Sequence, residues 1–216
     1  MLFRSVHGSF TGAFASTGMQ SNNFSDELKS RGLAAPNQIK RIWDLNPAVG
    51  GPLKRDKLWF FTTVRHTGAW NYVGTFRNQN AGNPTAWTYV PVTGDEGEYS
   101  ELNSKSAVGR ITWQATQKNK LNFGYDYTGV CQCNFASPTV APEAAANTYY
   151  DPKHVVTVDW TSPLTSRVLL DGSFMYFNLY RTADEPGSST LIQVQEQSTG
   201  MTYRSRSFDK IGRAHV

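Results

Sequence analysis

The sequence predicts an all-β protein, an antiparallel sheet of about eight sequential strands with the patterning of a transmembrane β-barrel wall. Two observations predict it. Long and short connections alternate strictly: residues 15–38, 77–104 and 129–152 read as long loops, and residues 51–57, 117–119 and 162–166 as short turns. Barrels that cross a membrane have short turns at one end and long loops at the other, whereas soluble β-sandwiches lack that two-sided asymmetry. The strands are also long. Segments such as 58–76 and 167–180 exceed the ~5–6 residues of an ordinary strand and reach the ~9–11 that a membrane strand needs.

The elements follow in order. Residues 2–14 read as a strand, with Leu2, Val6, Phe10 and Phe14 on one face and Ser5, His7, Ser9 and Thr11 on the other; period two is the strand signature. In the loop that follows, Ser25 is placed to cap a short helix over residues 26–31, ended by Gly32. Residues 39–49 form the next strand, 51–57 a charged turn and 58–76 a long strand whose first part is aromatic on both faces, so that its facing is undecided. Residues 105–116 and 120–128 make a hairpin about the turn at 117–119. Residues 153–161 and 167–180 make another, and 191–206 hold part of a last hairpin beyond a loop at 181–189.

The two faces are clearest in the middle hairpins. Leu121, Phe123, Tyr125 and Tyr127 share a face, and Asn122, Gly124, Asp126 and Thr128 share the other. Ile111 and Trp113 likewise oppose Arg110 and Thr112, Val158 and Trp160 oppose Asp159, and Phe174 opposes Asp171. A charge on a lipid-facing wall costs ~2–4 kcal/mol at the midplane for Lys or Arg and less for Asp or Glu. Arg110, Asp126, Asp159 and Asp171 are therefore expected to face a barrel lumen.

Composition narrows the classes. No run of ~20 apolar residues exists, so membrane helices are excluded, while alternating barrel strands are allowed. The net charge of +4 is modest and Lys and Arg are scattered, so no nucleic-acid partner is expected. No enzyme motif, phosphate loop or zinc spacing occurs, and His7, His66, His154 and His215 are far apart. No catalytic residue, metal site or cofactor is expected. Asp95, Glu96 and Glu98, with Glu101 nearby, form an acidic cluster in the second long loop; it reads either as a solvated loop or as oxygen ligands for calcium, without EF-hand spacing. Trp113 and Trp160 lie near short-turn ends and read as interface girdle. Trp87 lies in a loop and is the aromatic best placed to touch a solute.

The run Gly50-Gly51-Pro52-Leu53-Lys54-Arg55-Asp56-Lys57-Leu58-Trp59-Phe60-Phe61, with Asp26-Glu27-Leu28-Lys29-Ser30-Arg31-Gly32-Leu33 and Ile39-Lys40-Arg41-Ile42-Trp43-Asp44-Leu45-Asn46-Pro47 before it, resembles the early barrel of TonB-dependent outer-membrane receptors of the Oar-like branch. The resemblance continues through Pro142-Glu143-Ala144 and Asp159-Trp160-Thr161-Ser162-Pro163-Leu164-Thr165. It implies location in the outer membrane, contact with outer-membrane lipid, and uptake of a large or scarce, unidentified solute. It also implies energy from the TonB complex acting through a plug. On this reading residues 1–210 are an internal stretch of a larger barrel, an open curved sheet without plug or closing strands. The N-terminus has no signal-peptide h-region, and residues 211–216 resemble the translation of a sequencing adapter. Two other classes stay open: a complete small porin or adhesin barrel, and a secreted glycan-binding β-sandwich. Cys131 and Cys133 fall in the third long loop, on the presumed outer side, where disulfides persist. They read as a local staple, as partners of cysteines elsewhere, or as a metal or redox pair.

Overall fold

The computed structural model describes residues 5–32, 36–92, 98–184 and 191–205. Seven long strands form one antiparallel sheet in sequence order: β1 (His7–Ser16), β2 (Gln38–Lys54), β3 (Leu58–Tyr72), β4 (Tyr99–Gln114), β5 (Lys120–Cys133), β6 (Asn147–Pro163) and β7 (Leu169–Asp184). No pairing joins β1 to β7 among the described residues. The last hairpin does not extend this sheet. β8 (Val194–Gln195) and β9 (Thr202–Tyr203) pair with each other, two residues each, and Thr202 also bridges Val140, outside the seven-stranded sheet, so the expected eight strands become seven plus a small separate hairpin.

The up-and-down order fixes where the connections lie. The β1–β2, β3–β4 and β5–β6 connections are the long ones and share one end; β2–β3, β4–β5 and β6–β7 are short and share the other. In the first long connection Ser25 accepts a hydrogen bond from the Leu28 N–H (3.4 Å) and caps α1 (Asp26–Ser30). Gly32 leaves that helix at φ 93°, a left-handed conformation that glycine adopts without steric cost.

Several strands run further than their apolar alternation. β4 begins at Tyr99 rather than residue 105, β5 continues to Cys133 rather than 128, and β6 begins at Asn147 rather than 153. Continuous pairing from Glu101↔Cys133 to Gln114↔Lys120 extends this hairpin, because backbone hydrogen bonds propagate without an apolar stripe. β3 stops earlier than expected, at Tyr72. Gly50, Gly51 and Pro52 belong to β2 and not to the turn: they pair with Phe61, Phe60 and Trp59. Pro52 is tolerated because the ladder shifts register between Pro52 and Lys54, and a bulge is a place where a missing N–H is harmless. The tight turn is residues 55–57, with Asp56 at φ 58°.

Cross-strand pairs define two faces without ambiguity. The rung Phe60↔Ile111↔Phe123↔Val158↔Phe174 lies on one face. The rung Phe61↔Arg110↔Gly124↔Thr157↔Met175 lies on the other. The facing of residues 58–64, open from sequence alone, follows: Leu58, Phe60, Thr62 and Val64 join the first face, while Trp59 and Phe61 join the second. No second layer covers the first face among the described residues. Phe123 is 40% exposed and Phe174 61%, and no large side chain is fully buried.

Candidate functional site

The charged face is a polar ladder. Arg110, Asp126, Asp159 and Asp171 all lie on it, their cross-strand partners being Gly124, Val108, Asn122 and Thr161. Its side chains bond to one another: Arg65 Nε donates to Asp44 Oδ1 (2.9 Å), Thr112 to Asn122 (3.0 Å), Thr128 to Asp126 (3.0 Å) and Ser173 to Asp159 (3.0 Å). Paired polar groups of this kind keep a face wet and ordered.

The opposite face carries a charge-free band. From the rung Gly51↔Phe60↔Ile111↔Phe123↔Val158 to the rung Val64↔Ala107↔Tyr127↔His154 it has no Asp, Glu, Lys or Arg, and the rung turn-ward of these, Lys54↔Leu58↔Trp113↔Leu121↔Trp160, carries Lys54. The next rung loop-ward, Leu45↔His66↔Lys105↔Gly129, brings the first cation on that side. The eight residue-to-residue steps from Trp113 to Lys105 span ~27 Å along the strand, or ~21 Å along the axis of a sheet tilted ~40°, close to the ~25 Å apolar height of a membrane barrel. Tryptophans mark both limits. Trp113 and Trp160 lie at the turn side, where the Trp160 indole donates to Asn119 (3.0 Å). Trp43 and Trp70 lie at the loop side, edge to face with centroids 5.5 Å apart.

The long connections pack into a small unit of their own. Ala141, Met201 and Tyr203 are buried together, with Tyr89 and Val194 against them. Segment 137–141 is stitched to β9 through Ala141 N–H to Thr202 C=O and Thr202 N–H to Thr139 C=O (both 2.8 Å). The buried Glu143 carboxylate accepts from the backbone N–H groups of Asn78 (3.2 Å) and Arg204 (3.5 Å), joining three segments at one acid. Arg204 stacks 3.7 Å from the centre of the Trp87 ring and donates to the Pro84 carbonyl, and Tyr203 donates to the Trp87 carbonyl (2.7 Å). Tyr89 donates to the Phe76 carbonyl (2.7 Å). Burial raises the Tyr89 hydroxyl pKa above its usual value, against the lowering effect of its bonds to Thr75 and Phe76.

No family model, curated protein or solved structure matches this chain. The site must therefore be read from the geometry alone.

Trp87 is half exposed, but one side of its ring is occupied by Arg204 and serves the loop unit. Asp95 and Glu96 lie outside the described residues, as does the 211–216 segment. Glu98 sits beside the start of β4, its backbone bonded to Val73 and Thr75. Among the described residues no group of three metal-ligating side chains forms. Cys131 and Cys133 are bonded to each other, with Cα atoms 5.4 Å apart. They lie on β5, opposite Asn103 and Glu101, and not in a loop. The strand reaches them because the β4–β5 ladder runs on past residue 128.

Sequence reasoning missed a cavity of about 730 Å³ on the aromatic face at the loop side. It is a trough across the strands that follows two adjacent rungs, Phe14↔Trp43↔Gly68↔Asn103↔Cys131↔Tyr149 and Gly12↔Leu45↔His66↔Lys105↔Gly129. Over Gly12, Gly68 and Gly129 of these rungs lie the side chains of Phe10, of Trp43, and of Tyr127 and Asp151. Trp43 lies so close over Gly68 that a Cβ there would collide with the indole. Arg41 enters from above, its guanidinium 4.2 Å from the Trp70 ring centre and 5.2 Å from that of Trp43.

Proposed function

We propose that this chain forms part of the barrel wall of a TonB-dependent outer-membrane receptor. The aromatic face meets lipid, the face bearing Arg110, Asp126, Asp159 and Asp171 lines the interior, and the loop unit stands at the outer, solute-facing end. The observation that carries this reading is the contrast between the faces. A seven-stranded sheet with a charge-free apolar band on one side, nothing packed on that band among the described residues, and a bonded polar ladder on the other fits a wall between lipid and a wet lumen. A soluble β-sandwich would need a second sheet on the apolar face. The loops, held on a rigid scaffold, are where solute contact belongs. Energy-coupled uptake rests on the sequence resemblance, through a plug and coupling segment that the resemblance places elsewhere in the protein.

The test is solute uptake by cells expressing the complete protein, with and without a collapsed proton gradient. Uptake that stops on collapse is the expected result. Uptake that persists undiminished would mean passive diffusion and would favour a porin.

A further inference from the structure

We infer that the trough on the aromatic face is a binding site for the phosphate-bearing headgroup of an anionic lipid. The inference rests on the lipid-facing assignment of that face and adds a specific occupant. The trough lies where the charge-free band ends. Its band-side wall is the rung Leu45↔His66↔Lys105↔Gly129, with Leu45 exposed and the apolar Val64↔Ala107 rung of the band next to it. Arg41, from the loop side, and Lys105, from that rung, reach the same cavity.

The lining favours an anion: it holds two cations, Arg41 and Lys105, against one acid, and Glu101, beside it on Arg41's rung, already accepts from the Asn103 and Asn134 side-chain amides. Arg41 is held by its aromatic stack, which fixes the guanidinium plane and leaves its N–H groups without a hydrogen-bond partner among the described residues. Lys105 is exposed and likewise forms no ion pair among them. The one acid in the lining, Asp151, sits at the β6 end, where its carboxylate already accepts the Tyr127 hydroxyl (2.9 Å). Long cationic side chains at a membrane interface reach from apolar surface to headgroups, and each adds attraction to anionic lipid. A free phosphate would use the cations but leave the apolar band bare. An amphiphile uses both, its phosphate in the trough and its acyl chain down the band over Val64 and Ala107. A lipid is therefore the occupant.

The complete protein, expressed from its gene, is reconstituted into nanodiscs containing phosphatidylcholine and phosphatidylglycerol of identical acyl chains. Lipids retained on release are then counted by native mass spectrometry. The wild type is expected to retain phosphatidylglycerol preferentially. The double variant Arg41→Gln/Lys105→Gln should lose about thirtyfold of that preference at low salt, and Lys105→Gln alone about fivefold. Lys118→Gln, at the opposite rim, should keep it. Equal retention of both lipids by the wild type, or unchanged preference in both glutamine variants, would overturn the inference while leaving the membrane reading intact. Displacement of the retained lipid by excess inorganic phosphate would overturn it in favour of a soluble anion. A protein that enters neither kind of bilayer would overturn the lipid-facing assignment itself.

Discussion

Placing arginine at two adjacent positions of β6 separates the faces most sharply. Val156 lies on the rung Gly109↔Tyr125↔Val156↔Tyr176; its partner Tyr125 is midway along β5 between Leu121 and Gly129, so the rung is at the middle of the charge-free band. Val155, one residue away, lies on the other face directly opposite Asp126. If the band faces lipid, Val156→Arg sits near the midplane and should cost ~2–4 kcal/mol, a loss of roughly 30- to 700-fold in the folding equilibrium. Val155→Arg keeps its guanidinium in the lumen and gains a cross-strand partner of opposite charge, a contribution of ~0.2–1 kcal/mol. The two variants carry the same side chain on the same strand, so β propensity and side-chain entropy nearly cancel in the comparison. The expected gap is ~2–5 kcal/mol. The assay is denaturant titration of the complete protein refolded into phosphatidylcholine bilayers, read by tryptophan emission. Equal stabilities, or a larger loss for Val155→Arg, would refute the assignment of the faces.

Two further predictions concern the loop unit. Glu143→Ala strips two buried backbone N–H groups of their acceptor, an expected cost of ~1–3 kcal/mol confined to that unit. Hydrogen exchange should report it as a roughly five- to hundredfold loss of protection at Asn78 and Arg204 with β4 and β5 unchanged, and unchanged protection at both amides would refute it. The Tyr89 hydroxyl has a raised pKa in the folded chain, chiefly through burial. Its contribution to stability is thus fully present below the unfolded value of ~10 and is lost as pH rises through the folded pKa. The loop unit should open in that alkaline window while the sheet persists, by limited proteolysis with an alkaline protease. Tyr89→Phe should abolish the pH step, and a step that persists in that variant would assign it to another group.

The centres of the strands were legible because one face is apolar and the other is not. Leu121 to Thr128 alternates cleanly, and the register of the sheet follows that alternation at every rung. The strand ends were not legible, since Ser100 to Ser104 and Val130 to Cys133 carry no apolar stripe and join the sheet through backbone pairing alone. That is also why the cysteine pair was assigned to a loop. Residues 58–64 were aromatic on both faces, so only the pairing Phe60↔Ile111 could orient them. Trp87 was visible as a loop aromatic, but its partner Arg204 follows far along the chain, and no local pattern announces such a contact. The trough was invisible for the same reason: Arg41 and Trp43, Trp70, and Lys105 come from three different strands and meet only once their rungs align.

The loop unit changes how the long-connection end of the sheet should be dissected. Three chain segments, 75–92, 134–146 and 191–205, share one buried cluster and one buried acid, so none of them is an independent flap. Excising residues 77–104, the loop expected from the sequence, would also remove Tyr99 to Ser104, which belong to β4 and pair with β3 from Tyr72 to Thr67. The resulting defect would mix damage to the wall with loss of the loop. Removing only part of 76–92 would spare the wall, yet it would still deprive Glu143 of Asn78 and Arg204 of Trp87. Point substitutions that leave the cluster packed are therefore the cleaner probes of solute contact. Trp87 is unsuited to that purpose, because its replacement uncovers Arg204. The exposed polar groups of the same loop, Thr85 and Gln79, avoid this problem. Neither bonds to Glu143 or Arg204: Thr85 bonds to Asn83, and Gln79 to the Val90 and Pro91 carbonyls. Changing them alters the exposed surface of this loop without opening the unit beneath it.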